Sequence, residues 1–188
     1  MPADKPRILQ DNRDLILTMI PLVALILIFT ALAGQCSFNP GGPEPGAPPQ
    51  FNAELALEYD ATVVDFPIRI PDVSEDWQAN SGVRDEPADD RTGTVTWVGY
   101  VTADSLYLRF SQSDVSEADL VAYHTGDPEA QEGAATVGET SWTVYRAANG
   151  EPIWVADLGE VRVGLTGSAS DAQFRELAEK VVDAEPVS

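Results

Sequence analysis

The chain is short of cysteine, histidine and positive charge. A single cysteine, Cys36, excludes an intrachain disulfide framework and any Cys-rich metal centre. A single histidine, His124, excludes multi-histidine zinc chemistry. Lys and Arg number 11 against 31 Asp and Glu, a formal net charge of −20. Phosphate contacts need clustered basic side chains, so a nucleic-acid partner is excluded. The same deficit makes the chain a poor ligand for anionic lipid surfaces. Cofactor signatures are missing too. Gly93, Gly99 and Gly164 stand alone, with no phosphate-loop or dinucleotide-binding spacing, and no cofactor is expected. No Gly-x-Ser-x-Gly elbow occurs.

The charge is unevenly spread. Lys5, Arg7 and Arg13 are matched by Asp4, Asp11 and Asp14, so the whole excess lies further on, where 28 acids face 8 bases. Such a surface stays heavily hydrated and repels its own kind. It suits high salt or a charged cell wall, and neither requires a substrate.

What is present begins with an apolar run. Leu15 through Ala33 reads LILTMIPLVALILIFTALA, with no charge. As a helix it would rise about 28 Å, and Thr18, Thr30 and Pro21 are tolerated in lipid. The expectation is a transmembrane helix over 15–33. The basic residues on its N-terminal side place 1–14 in the cytoplasm and 34–188 outside, a single-pass cell-membrane topology. A cleaved signal peptide competes, but its apolar core is normally shorter. Cys36 raises lipid modification as a third option, although Gln35 before it is not small. Otherwise Cys36 is a solitary thiol, free or disulfide-linked to another chain. Residues 34–50 hold five Pro and four Gly and read as a spacer.

A domain follows over 51–182, with a polar tail at 183–188. Asn52 caps a helix through Tyr59, with Leu55 and Tyr59 one turn apart on one face. Residues 63–71 carry Pro67 and Pro71 and read as an edge or irregular strand. Trp77 pins an acidic loop to the core, and 81–93 reads as a mobile polar excursion. Residues 94–101 and 105–110 form the clearest hairpin. Val95, Trp97, Gly99 and Val101 share one face, and Thr96, Val98 and Tyr100 the other. Ser116 with Asp119 starts a helix that ends near His124, flanked by Val115 and Leu120 as a staple. Residues 136–138, 142–146, 153–156 and 161–165 read as strands, with a turn at Asn149-Gly150. Ser170 with Gln173 caps a last helix, which sets Phe174, Leu177, Ala178 and Val181 on one face. The fold class is α+β: an N-terminal transmembrane helix, then a twisted antiparallel sheet with one face packed by helices.

Six strings in this order carry a resemblance: VDFPIRIP at 64–71, WQANS at 77–81, WVGYV at 97–101, SWTVYR at 141–146, LTGSAS at 165–170 and FRELA at 174–178. With the N-terminal apolar run, they resemble an actinobacterial membrane-anchored family, domain of unknown function 4245. The resemblance implies no activity and no catalytic residue. It also implies an outer domain similar in element order to the Mog1/PsbP-like α/β sandwich, which by itself warrants no function.

Few residues suggest a site. His124 reads as a surface or helix-terminal histidine rather than a catalytic base. Among so many acids, some carboxylate pair meets glycosidase spacing by chance. Asp85, Glu86, Asp89 and Asp90 are weak candidates for a hard cation, and they match no calcium-loop spacing. The four tryptophans suggest a stacking platform. Trp97 and Trp142 share faces with core valines, whereas Trp154 falls opposite Ile153 and Val155 and is the weak candidate for an exposed ligand or partner contact. The leading expectation is a non-enzymatic envelope protein that binds a partner or ligand through its outer domain. The alternatives are an envelope hydrolase using carboxylates and a structural or assembly role through the anchor.

Overall fold

The computed structural model describes residues 12–32, 51–86, 92–125 and 131–188. The chain divides into two compact units, Met1–Ala47 and Pro48–Ser188. In the first, α1 (Asn12–Leu32) contains Pro21. Its side chains are described from Leu15 to Phe29, and all of these are exposed.

The transmembrane expectation for Leu15 through Ala33 is corrected. Among the described residues, no helix is long and apolar enough to cross a membrane. The single-pass topology, the cell-membrane location, the cytoplasmic and outer sides and the membrane as a partner all rested on that span, and they are corrected with it. So are the reading as an envelope protein and the anchor-based role. Cys36 and the spacer at 34–50 lie outside the described residues.

The second unit is an antiparallel sheet with helices on both faces. Asn52 caps α2 (Ala53–Ala61), its side chain accepting from the Leu55 N–H at 3.0 Å. The stripe that turns inward is Leu57, Asp60 and Ala61, while Leu55 and Tyr59 stay exposed. Between Pro67 and Pro71 only two residues reach strand geometry, β1 (Ile68–Arg69). The strands of the main sheet are β2 (Gln78–Asp85), β3 (Val95–Val101), β4 (Tyr107–Ser113), β5 (Gln131–Val137), β6 (Thr140–Arg146), β7 (Pro152–Asp157) and β8 (Arg162–Gly167). Their order is β2-β3-β4-β8-β7-β6-β5, with every pair antiparallel.

Two further helices complete the layers. In α3 (Glu117–Thr125), Ser116 Oγ accepts from the Asp119 N–H and donates to its carboxylate. In α4 (Asp171–Asp183), Ser170 and Gln173 form a full capping box. Phe174, Leu177, Ala178 and Val181 of α4 share the larger core with Leu57, Phe110, Trp142, Trp154 and Leu165. Leu120 and Val121 of α3 pack on the opposite face with Val95, Ile153 and Val155. The sheet is thus covered on both sides, where one covered face was expected.

Two polar segments are structured against expectation. The start of the 81–93 excursion belongs to β2, because pairing with β3 from Gln78↔Val101 to Asp85↔Val95 satisfies its backbone. The tail supplies β9 (Pro186–Val187), which pairs with β1.

Candidate functional site

Two arrangements bear on function: a serine–histidine pair under α3 and a groove beside α4.

The pair joins Ser111 of β4 to His124 of α3, Oγ to Nε2 at 2.9 Å. Ser111 Oγ also donates to the Gly164 carbonyl at 3.1 Å. The hydroxyl proton is therefore engaged, and the His124 Nε2–H is the donor to Ser111. Nδ1 is buried and has no partner among the described residues, where a catalytic triad would place an acid. Burial holds the His124 pKa down to about 4, and the positive Arg109 pushes the same way. Ser111 itself has no exposed surface. A weak base beside an inaccessible hydroxyl clamps α3 to the sheet and performs no acyl transfer. Expected at the surface or at a helix terminus, His124 lies in the last turn of α3, half-buried and bonded.

The groove follows from small side chains on β5. Residues opposite one another in β5 and β6 include Ala135↔Trp142 and Gly133↔Val144, which lie on the α4 side of the sheet. Small side chains there leave a cavity of about 380 Å³ between β5, β6, β7 and the first turn of α4. Trp154 and Phe174 line it, their rings tilted 39° at 5.5 Å. Each side carries an arginine paired with an acid. Arg146 Nε donates to Glu132 at 2.7 Å, and Arg175 Nε to Asp171 at 2.8 Å. The Arg175 guanidinium also sits 5.5 Å from the centre of the Trp154 ring. A Cβ at Gly133 would meet nothing within 4 Å among the described residues.

The edge of β5 is open for a definable reason. Val137 and Thr140 close a two-residue loop, with Gly138 at φ +59°. In such a hairpin the closing pair bonds inward, so Val137 and Ala135 point their amides at β6, while Thr136 and Ala134 point theirs outward. The Thr136 carbonyl bears this out by accepting from Arg175 Nη1 at 3.1 Å. Among the described residues β5 pairs on one side only.

The expected site residues are scattered. Trp154 is only 4% exposed, not a surface aromatic. It still lines the groove. Trp142 is buried and Trp97 half-exposed, with the Arg109 guanidinium 4.1 Å from its ring centre. Asp85 and Glu86 lie exposed at the end of β2, where the Asp85 carboxylate accepts from the Glu86 N–H and the Tyr123 hydroxyl. Asp89 and Asp90 lie outside the described residues. No group of three His, Cys, Asp or Glu among the described residues is placed to hold a metal ion. With neither that nor a catalytic cluster to support it, the carboxylate-hydrolase alternative is corrected. The groove itself was missed. Its signal was the run Gly133-Ala134-Ala135, small and uncharged inside a strand.

A family model described as protein of unknown function (DUF4245) matches residues 7–181. The chain belongs to this family. No curated protein and no solved structure matches it, so the Mog1/PsbP-like comparison gains no support. Family membership assigns no chemistry, and the DUF4245 chain must be read from its own surfaces.

Proposed function

We propose that the 48–188 unit is a recognition module that takes an extended peptide along β5. The observation behind this reading is the open edge beside the Trp154 groove. Natural edge strands are usually guarded by Lys, Pro or a covering element. Here Gly133, Ala134, Ala135 and Thr136 include no Lys or Pro, and the Arg175 guanidinium touches this edge at the Thr136 carbonyl, leaving the outward N–H groups of Ala134 and Thr136 to a partner. An added strand would bond the outward amides of Ala134 and Thr136 and place an apolar side chain over Trp154 and Phe174. The acidic surroundings favour basic residues at the ends of that peptide. They disfavour a second copy of this chain.

Blocked heptapeptides of alternating Val and Thr, with a central Leu and a Lys at each end, test the reading. Binding should slow hydrogen exchange at the amides of Ala134 and Thr136. Ala134→Pro removes the outward N–H while leaving the Gly133 and Ala135 bonds to β6, and it should abolish binding. Unchanged exchange, or equal binding by the proline variant, overturns the proposal. Protection that grows with protein concentration alone would assign the edge to self-pairing and overturn it as well.

A further inference from the structure

A second cavity lies on the far side of the core, away from β5. It measures about 460 Å³ and is lined by Leu57, Ile70, Val73, Trp77 and Tyr100, among others. That size suits a small organic ligand. Trp77 and Tyr100 stand with ring centres 6.5 Å apart, tilted 55°. Tyr100 is 2% exposed and its ring belongs to the cavity lining. Burial raises the Tyr100 pKa, so the phenol stays neutral and can accept as well as donate.

The mouth of this cavity has one sign of charge. Glu54 and Asp72 line it, both exposed and neither ion-paired among the described residues. A neighbouring depression shares Trp77 and Ala79 and adds Glu75 and Asp76. No Lys, Arg or His lines either hollow among the described residues. The Trp154 groove differs, since an arginine neutralises each of its acids. Burying an apolar body against Leu57 and Ile70 while presenting an ammonium to two aromatic rings and two free carboxylates satisfies every group in the cavity.

We infer that the Trp77–Tyr100 cavity is a binding site for an organic cation, an amine on an apolar body, with Glu54 and Asp72 pairing its charge and Tyr100 accepting its N–H. An anion would meet carboxylates alone, and a neutral compound would leave Glu54 and Asp72 without a counter-charge.

The test uses the full-length chain and hexylammonium chloride, with hexanol and hexanoate as probes of equal length at matched ionic strength. Assigned NMR spectra follow the Trp77 indole and the ring of Tyr100. Hexylammonium should bind saturably and shift these signals, with hexanol and hexanoate each at least about tenfold weaker. The double variant Glu54→Gln with Asp72→Asn should weaken hexylammonium by about fivefold or more, and Tyr100→Phe by a smaller factor. Both changes keep the side-chain shape, so folding is checked by the unchanged remainder of the spectrum. Hexanol binding as tightly as hexylammonium, or full affinity in the double variant, overturns the inference. Ala134→Pro should leave hexylammonium binding unchanged, which separates this site from strand addition at β5.

Discussion

The side-chain amide of Gln112 closes both main-chain hydrogen bonds of Arg69. The Arg69 N–H donates to Gln112 Oε1 at 2.7 Å, and Gln112 Nε2 donates to the Arg69 carbonyl at 2.9 Å. Gln112 has no exposed surface. Its amide does for β1 what a neighbouring strand would do, while β9 pairs the other edge. The Arg69 guanidinium then reaches the end of α4, where Nη1 donates to the carbonyls of Val181, Val182 and Ala184. A cation there satisfies carbonyls that the helix leaves open and opposes its dipole. Two residues thus tie β4, β1, β9 and α4 together.

Gln112→Leu keeps the volume and strips both bonds. Arg69 would be left with an unpaired N–H and carbonyl, costing about 2–4 kcal/mol. Urea unfolding of the variant measures the loss. A change below about 0.5 kcal/mol would show that water replaces the amide at little cost.

His124 predicts an acid weakness. Its folded pKa is lowered to about 4 by burial and by Arg109, whereas an unfolded histidine titrates near 6.5. Between those values the unfolded chain takes a proton that the folded chain refuses. The stability is complete above pH 6.5 and is lost as pH falls toward 4. The loss by pH 4.5 is about 2 kcal/mol. His124→Gln has no such group, so its unfolding free energy should fall less between pH 7 and pH 4.5. Parallel losses in both proteins would remove His124 as the cause, because the carboxylates they share cancel in the comparison.

The local signals were legible and the long-range ones were not. Asn52, Ser116 and Ser170 mark helix starts by side chains that bond within three residues, and each does so in the structure. The hairpin expected over 94–101 and 105–110 is equally local, and it forms over Val95–Val101 and Tyr107–Ser113. The strand β2 was hidden because edge position, not apolar content, makes Gln78–Asp85 a strand. Asp60 faces inward, although the apolar spacing of Leu55 and Tyr59 suggested another face, because Arg84 and Thr96 wait for it across the sheet. Alternation along β7 does set Trp154 opposite Ile153 and Val155, but that face is not solvent. With α3 on the other face, both sides of β7 are interior. The groove needed the same knowledge, since Gly133 and Ala135 define it only once β5 lies beside α4.

Two glycines with opposite surroundings give a paired prediction. Gly167 has φ +149°, and a Cβ there would strike the Tyr107 carbonyl oxygen. That oxygen is also held by the N–H groups of Ser168 and Ala169, so it cannot retreat freely. Gly167→Ala should cost about 2–4 kcal/mol. Gly133 sits in open space without a positive φ, and alanine there should be neutral or stabilise by up to about 1 kcal/mol. Thermal unfolding of the two variants should move the midpoint in clearly different directions or amounts. Similar losses would mean that the strand backbone rather than the Tyr107 carbonyl sets the cost.

Asp60 separates a charge pair from a buried hydrogen bond at one carboxylate. Its Oδ1 accepts from Arg84 Nη1 at 2.7 Å, and its Oδ2 accepts from the Thr96 hydroxyl. The Arg84 side chain is 36% exposed, so solvent screens that pair to about 1 kcal/mol or less. Thr96 is 1% exposed, and its hydroxyl has no water to turn to if the carboxylate is removed. Double-mutant cycles pairing Asp60→Ala with Arg84→Ala and with Thr96→Val should therefore give unequal couplings, with the Thr96 term at about 1.5–3 kcal/mol exceeding the Arg84 term. If the Arg84 coupling is the larger, charge rather than the buried bond fastens α2 to the sheet, and unfolding in 1 M salt would then cost the wild-type chain most of that energy.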